Sequence, residues 1–182
     1  MIIGITGTLG AGKGTVAGYL NKKHKFSYIS VRNFLAAEVL QRGLMATREN
    51  IIATANDLRA IYGADYITEQ LLSHVVTQKN DVVIESIRTP GEAAYLKSHG
   101  AQLWAVVAAL TSCYAHVSSD KADAEKISFE AFAADVERDL VSTNTREHTL
   151  LQVIKNADVV IRNEGTKEEL FMQVEAILQK SK

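Results

Sequence analysis

The opening nineteen residues, MIIGITGTLGAGKGTVAGY, constrain the fold of this chain more than any other stretch. A short apolar run (Ile2, Ile3, Ile5) predicts a strand, glycines crowd the turn after it (Gly7, Gly10, Gly12, Gly14), and a helix-compatible run follows. Gly-x-x-x-x-Gly-Lys spans Gly7 to Lys13, with Thr15 two places further on. Strand, glycine-rich loop and helix, in that order, build an anion cradle. Residues without a Cβ let backbone N–H groups converge at the positive end of the new helix. Gly7, Thr8, Leu9, Gly10, Ala11, Gly12, Lys13, Gly14, Thr15 and Val16 are therefore expected to hold nucleotide phosphates, with the Lys13 ammonium as a mobile charge for the outer ones. Gly14, not Ser or Thr, follows Lys13, which displaces the usual Mg²⁺-binding hydroxyl to Thr15.

Strands separated by helices continue from there. Phe26–Ser30 alternates as a second strand, and Val31–Gln41 and Thr47–Tyr62 read as helices stopped by Gly43 and Gly63. In the longer one, Ile51, Ile52, Ala55, Leu58 and Ile61 form the expected apolar stripe, and a further helix is expected over Asp65–Gln78. Asp81–Glu85 is apolar on both faces, as a central parallel strand should be. Thr89-Pro90-Gly91-Glu92 then opens a helix with an N-cap, a proline at the first position and a capping box. Gln102–Leu110 is the fourth strand, and the polar segment Thr111–Lys126 reads as partly irregular. Ser128 caps a helix bearing Phe129, Phe132, Val136 and Leu140, and a weaker helix covers Thr149–Asn156. Asp158–Ile161 is the fifth strand, and Thr166 to Glu169 is a second capping box before the last helix. Five short apolar strands alternating with helices specify an α/β fold, a doubly wound parallel sheet with helices on both faces. The length suits a single domain.

Ligands of such sheets gather at the carboxyl ends of the strands. Glu85 ends the third strand, where a carboxylate can stand near Mg²⁺ directly or through water. Arg88, three residues on, is placed to hold a phosphate or carboxylate of a second substrate. Arg32 follows the second strand in the same position. Arg59 either enters the acceptor cleft or pairs on its helix near Asp57 or Glu49, while Arg138 and Arg146 flank the late polar region and would reach phosphates on closure. The five histidines show no metal-ligand spacing, and there is no Gly-x-Ser-x-Gly nucleophile turn.

Charge narrows the partners: 20 basic against 21 acidic side chains leave nothing suited to coating nucleic acid or a membrane surface. Cys113 is the one cysteine, so no internal disulfide forms and a reducing, cytoplasmic setting is expected. No apolar run is long enough to cross a bilayer, and Ile2–Ile5 is short for a signal peptide.

The loop GTLGAGKGT resembles that of the nucleoside monophosphate kinases, adenylate kinase above all, which also place Gly between Lys and Thr. Ile84 to Arg88 (IESIR) is similar to their acidic segment after the third strand, whose arginine holds the acceptor phosphate, and Ile29 to Leu35 to the start of their acceptor-binding helices. Ala157 to Leu170 resembles the C-terminal strand and turn of dephospho-CoA kinases, where backbone near Asn163, Gly165 and Thr166 meets the adenine. The resemblance implies ATP and Mg²⁺ as cofactors, a nucleotide as small-molecule substrate, and a P-loop core over residues 1–30, 79–111 and 139–182. It also implies an acceptor-binding helical insert over about 31–78 and a lid over about 112–138. It departs near Ala36, where adenylate kinases carry an arginine, at Glu85, where they carry Asp, at Ser86, where they carry Gly, and in the lid stretch Ser112 to Glu137, which has no arginine. The expected activity is transfer of the γ-phosphoryl of Mg·ATP to a nucleoside or deoxynucleoside monophosphate. Phosphorylation of a ribose hydroxyl, acceptor-independent hydrolysis and an ATP-binding regulatory module stay open beside it.

Overall fold

The computed structural model describes residues 1–73, 80–119, 128–141 and 150–180. Its five strands are β1 (Ile2–Thr6), β2 (Ser27–Ser30), β3 (Val82–Glu85), β4 (Gln102–Val107) and β5 (Val159–Arg162), all parallel in the order β2-β3-β1-β4-β5. The chain leaves the central β1 through α1 (Lys13–His24) towards the β2 edge, returns to β3, and then crosses to β4 on the opposite side. The order therefore reverses around β1, and connections leaving β1 and β4 open a crevice above their carboxyl ends. The glycine-rich loop is the first of those connections.

Side chains alternate across the sheet with period two and feed two separate cores. On one face Ile3, Ile5, Val83, Trp104, Val106 and Ile161 meet Val16, Ala17 and Leu20 of α1, Phe132 of α7 (Phe129–Leu140), and Leu170 and Val174 of α9 (Lys167–Lys180). On the other, Val82, Ile84 and Leu103 meet α2 (Val31–Gln41), α3 (Arg48–Tyr62), α4 (Tyr66–Ser73), α5 (Pro90–Ser98) and α8 (Leu150–Lys155) through Leu35, Leu58, Ile67, Leu96 and Val153. β3 is buried at all four positions, as a strand covered on both faces requires.

Helix starts follow their sequence signals. Ser30, Thr47 and Ser128 each accept a backbone N–H from three residues on, capping α2, α3 and α7. Thr89 and Glu92 close a reciprocal capping box with Pro90 at the first turn of α5, and Thr166 and Glu169 do the same for α9. At the open edge of the sheet, the Gln173 side chain of α9 accepts from the Arg162 N–H at 3.1 Å and donates to the Arg162 carbonyl at 2.8 Å.

Several expectations need correction. Strand β4 ends at Val107, and α6 (Leu110–Ser119) makes regular helix of the start of the segment expected to be partly irregular from Thr111. The rest of that segment, 120–127, lies outside the described residues, as do 74–79 of the fourth helix. The buried stripe of α3 is Thr54, Ala55 and Leu58, with Ile52 and Ile61 exposed. Ile52 sits about 100° around the helix from Ile51, and Ile61 lies on the last turn, past the covered part.

Candidate functional site

The turn from Gly7 to Gly12 is shaped by close approach. A Cβ on Gly7, whose φ is +140°, would fall on the Val106 carbonyl oxygen of β4. Gly12, the N-cap of α1 at φ +99°, would place one on the Asn163 side chain amide. These positions need glycine because neighbouring strand ends press against the loop from below. No side chain caps α1, so its first-turn amides face outward, while Lys22, Lys23 and His24 complement its other end. The 12-residue helix thus points an unshielded positive terminus into the crevice. Thr15 is on its first turn, and Val16 and Ala17 anchor it in the core.

Lys13 folds back over this turn and donates from Nζ to the Thr8 carbonyl at 2.8 Å. It is 9% exposed, and burial lowers its pKa to about 8. Glu85 and Asp139 oppose that shift by favouring the ammonium, and the Arg88 guanidinium adds to it. Asn163, also buried, donates from Nδ2 to the Ala11 carbonyl at 3.0 Å, so the end of β5 clamps the loop from the side. Gly165 and Thr166 follow in the turn before α9. Gly165 lines an open groove with Arg162, Glu169 and Gln173, a groove that no glycine-loop residue borders.

Glu85 is 8% exposed at the end of β3. Register places it beside Ser30, whose hydroxyl donates to Oε2 at 3.3 Å, and Ser86 donates to Oε1 at 2.6 Å. Ser86 itself is left-handed at φ 79°, a conformation that favours glycine; its bond to Glu85 offsets part of that strain. Thr6 ties the ends of β1 and β3 together by donating to the Ile87 carbonyl at 2.8 Å.

The arginines divide. Arg88 meets Asp139 Oδ2 from Nη1 at 3.2 Å. Arg59 pairs neither with Asp57 nor near Glu49: its Nε and Nη2 donate to Glu92 Oε1 at 3.1 and 2.7 Å. Glu92 is fully buried, and its other oxygen accepts the Arg88 N–H at 2.8 Å, so Arg59 braces the backbone that carries Arg88. Arg32 is exposed at the start of α2, and Arg138 is exposed and paired with Asp135 on its own helix. Arg146 lies outside the described residues. The structure thus brings Lys13, Thr15, Glu85, Arg88 and Asn163 to the carboxyl ends of β1, β3 and β5.

Neighbours without an assignment in the sequence reading also stand here. The Tyr28 hydroxyl lies 3.9 Å from where a Cβ on Gly14 would be, and burial together with the Glu85 charge raises its pKa. Its signal is the alternation of FSYIS, which puts Tyr28 and Ser30 on one face. Helix α6 presses Cys113, its thiol pKa raised by burial, against the Thr8 hydroxyl, and its His116 Nδ1 donates to the Gly10 carbonyl at 2.8 Å. Glu164 holds the start of that helix by accepting the Ala109 N–H at 2.7 Å.

Residues 3–136 match the family described as an AAA domain. A UPF0200 protein of Methanocaldococcus jannaschii is 30% identical over 183 residues, covering 98% of this chain and 89% of that protein. A Thermococcus kodakarensis protein provisionally named an adenylate kinase is 32% identical over 90 residues, 46% of this chain and 48% of its own length. Among solved structures, shikimate kinase from Acinetobacter baumannii in complex with shikimate superposes with a TM-score of 0.61 at 13% identity, covering 100% of this chain and 94% of that one. That likeness is one of fold, an α/β P-loop fold shared with kinases. The chain belongs to the UPF0200 family and carries its AAA-type P-loop domain.

Proposed function

We propose that the chain transfers the γ-phosphoryl of Mg·ATP to a nucleoside or deoxynucleoside monophosphate. The observation that carries this reading is the desolvated Lys13 inside an uncapped glycine loop, with Glu85 and Arg88 at the next strand end. Amides of the loop and Lys13 take the β- and γ-phosphates, where fixed donors lower the barrier because they need no reorganisation. Asn163 keeps the Ala11–Gly12 peptide turned so that its neighbours face the anion, and the backbone of Gly165 and Thr166 borders the base. Thr15 and Glu85 offer oxygen donors of the kind Mg²⁺ takes, and the two hydroxyls on Glu85 leave lone pairs free on each carboxylate oxygen. When bound, the ion neutralises charge on the phosphate chain. Arg88 orients the acceptor phosphate with Arg32 at the rim, and an ionised acceptor needs no general base. Arg138 and Arg146 are the cations available to close over the reaction, with residues 31–78 as acceptor insert and 112–138 as lid.

Incubating the protein with Mg·ATP and a panel of nucleoside monophosphates plus dephospho-CoA, and following ADP, tests the reading. Acceptor-dependent ADP is expected, reduced about 10²-fold or more in Arg88→Ala. ADP formed equally without any acceptor would point to simple hydrolysis, and ATP binding without turnover to a regulatory module. One observation favours that last reading: Arg138, a lid-side cation, is exposed and tied to Asp135.

Titration of Lys13 supplies a second expectation. Near pH 8 about half of these lysines are neutral in the free protein. A polyphosphate beside Nζ favours the ammonium, so nucleotide binding takes up a proton, and affinity falls as pH rises through 8. Calorimetry in buffers of different ionisation enthalpy reads the uptake directly; binding at pH 8 with none would exclude Lys13 as the phosphate ligand.

A further inference from the structure

Two guanidinium groups, carried by different parts of the chain, converge on one oxygen. Asp139 Oδ2 forms an ion pair with Arg88 Nη1 at 3.2 Å and accepts from Arg48 Nη2 at 3.3 Å. Arg48 opens α3, Arg88 follows β3, and Asp139 lies in the last turn of α7. Nothing in the sequence marks Arg48. We propose that Arg48 and Arg88 form a clamp for the phosphate monoester of the acceptor, and that Asp139 is its built-in stand-in, filling the clamp until the acceptor displaces it. This rests on the phosphotransfer reading and deepens it, naming a second acceptor ligand and an internal competitor.

Three features support the clamp. Both arginine side chains are about a third exposed while Asp139 is 11% exposed, so solvent reaches the guanidiniums and the carboxylate lies behind them. Arg48 keeps a separate tether, donating from Nη1 to Asp135 at 2.6 Å, and the Arg59–Glu92 pair braces the backbone at Arg88. The Arg48 side chain and the backbone that carries Arg88 therefore hold position when Asp139 lets go. The Arg88 and Asp139 charges are also felt at Lys13, which puts the clamp within electrostatic reach of the glycine loop. A phosphate monoester brings more negative charge than a carboxylate and enough oxygens to engage both planar groups. It wins that exchange, but its apparent affinity is reduced by the fraction of time the clamp is open. Asp139 also offsets the repulsion between two adjacent cations in the empty site.

The test titrates the full chain, with a non-hydrolysable Mg·ATP analogue present, with AMP, dCMP and phenyl phosphate, and reads affinity by calorimetry. Asp139→Asn is expected to tighten binding of at least one ester about tenfold, the factor for a clamp closed roughly nine-tenths of the time. Asp139→Ser should act alike if the Asn form folds poorly, as checked by thermal melting. Arg48→Ala should weaken binding about tenfold or more, whereas Arg42→Ala, whose arginine pairs with Asp57 elsewhere, should not. The clamp is overturned if both folded Asp139 variants bind no tighter than the parent, if Arg48→Ala matches Arg42→Ala, or if none of the esters binds any form. ADP formation by the same proteins separates the two ideas. Acceptor-dependent turnover with unaltered affinity in Asp139→Asn removes the clamp alone. The expected affinity pattern without ADP removes phosphotransfer and leaves the clamp.

Discussion

Lys13→Met is expected to lose about 10²–10³-fold in acceptor-dependent ADP formation while melting at a higher temperature than the parent. Both halves follow from burial. In the unfolded chain Lys13 titrates near 10.5, and in the fold near 8, so the folded state disfavours its charge. Below pH 8 both states are protonated, and the fold bears the whole cost of the desolvated ammonium. Between 8 and 10.5 the unfolded chain binds more protons than the folded one, so stability rises with pH across that window. Methionine fills a similar volume without charge. At pH 7 it should add about 1–3 kcal/mol, which for a domain of this size is about 2–4 °C in Tm per kcal/mol. The advantage should fade by pH 10.5, where the parent has shed its proton. Melting curves of both proteins at pH 7 and pH 10 decide it, and an equal Tm at pH 7 would mean that the lysine is not held in a dry site.

The second large effect belongs to Gly7. Alanine there meets a positive φ and the backbone carbonyl of Val106 at once, and neither the strand nor the loop has room to yield. A loss of about 2–4 kcal/mol is expected, or roughly 4–16 °C in Tm, together with loss of nucleotide binding because the loop amides no longer converge. Gly18→Ala is the control on the same segment. It lies mid-helix with open space where the Cβ would go, and should stabilise by about 0.5–1 kcal/mol. Similar Tm shifts at the two positions would contradict the strand-end contact.

These effects concentrate where the chain was most legible. Ile3, Ile5, the glycines and Lys13 interact within one strand–turn–helix unit, so their spacing alone encodes the geometry. The capping boxes at Thr89 and Thr166 are local in the same way. Helix α6 was not legible because its residues, Thr111, Ser112, Ser118 and Ser119 among them, are weak helix formers and only Cys113 is fully covered. What holds it is a distant Glu164 at its start and a bond from His116 to Gly10, neither of which leaves a periodic trace. The partners of the arginines leave no trace in the sequence for the same reason. Arg59 and Glu92 lie 33 residues apart, and Arg48 and Asp139 lie 91 apart. A charge on a polar helix face reveals its partner only when the chain has folded.

Gln173 has a consequence for how these molecules coexist. Strand β5 ends the sheet, and Val160 stands half exposed along it, the kind of rim that invites another polypeptide to add a strand. By engaging both the donor and the acceptor of Arg162, one amide imitates the missing neighbour and terminates the ladder at its carboxyl end. Concatenation of sheets through that rim is thereby discouraged, at the end of the molecule from which Asn163 reaches the glycine loop.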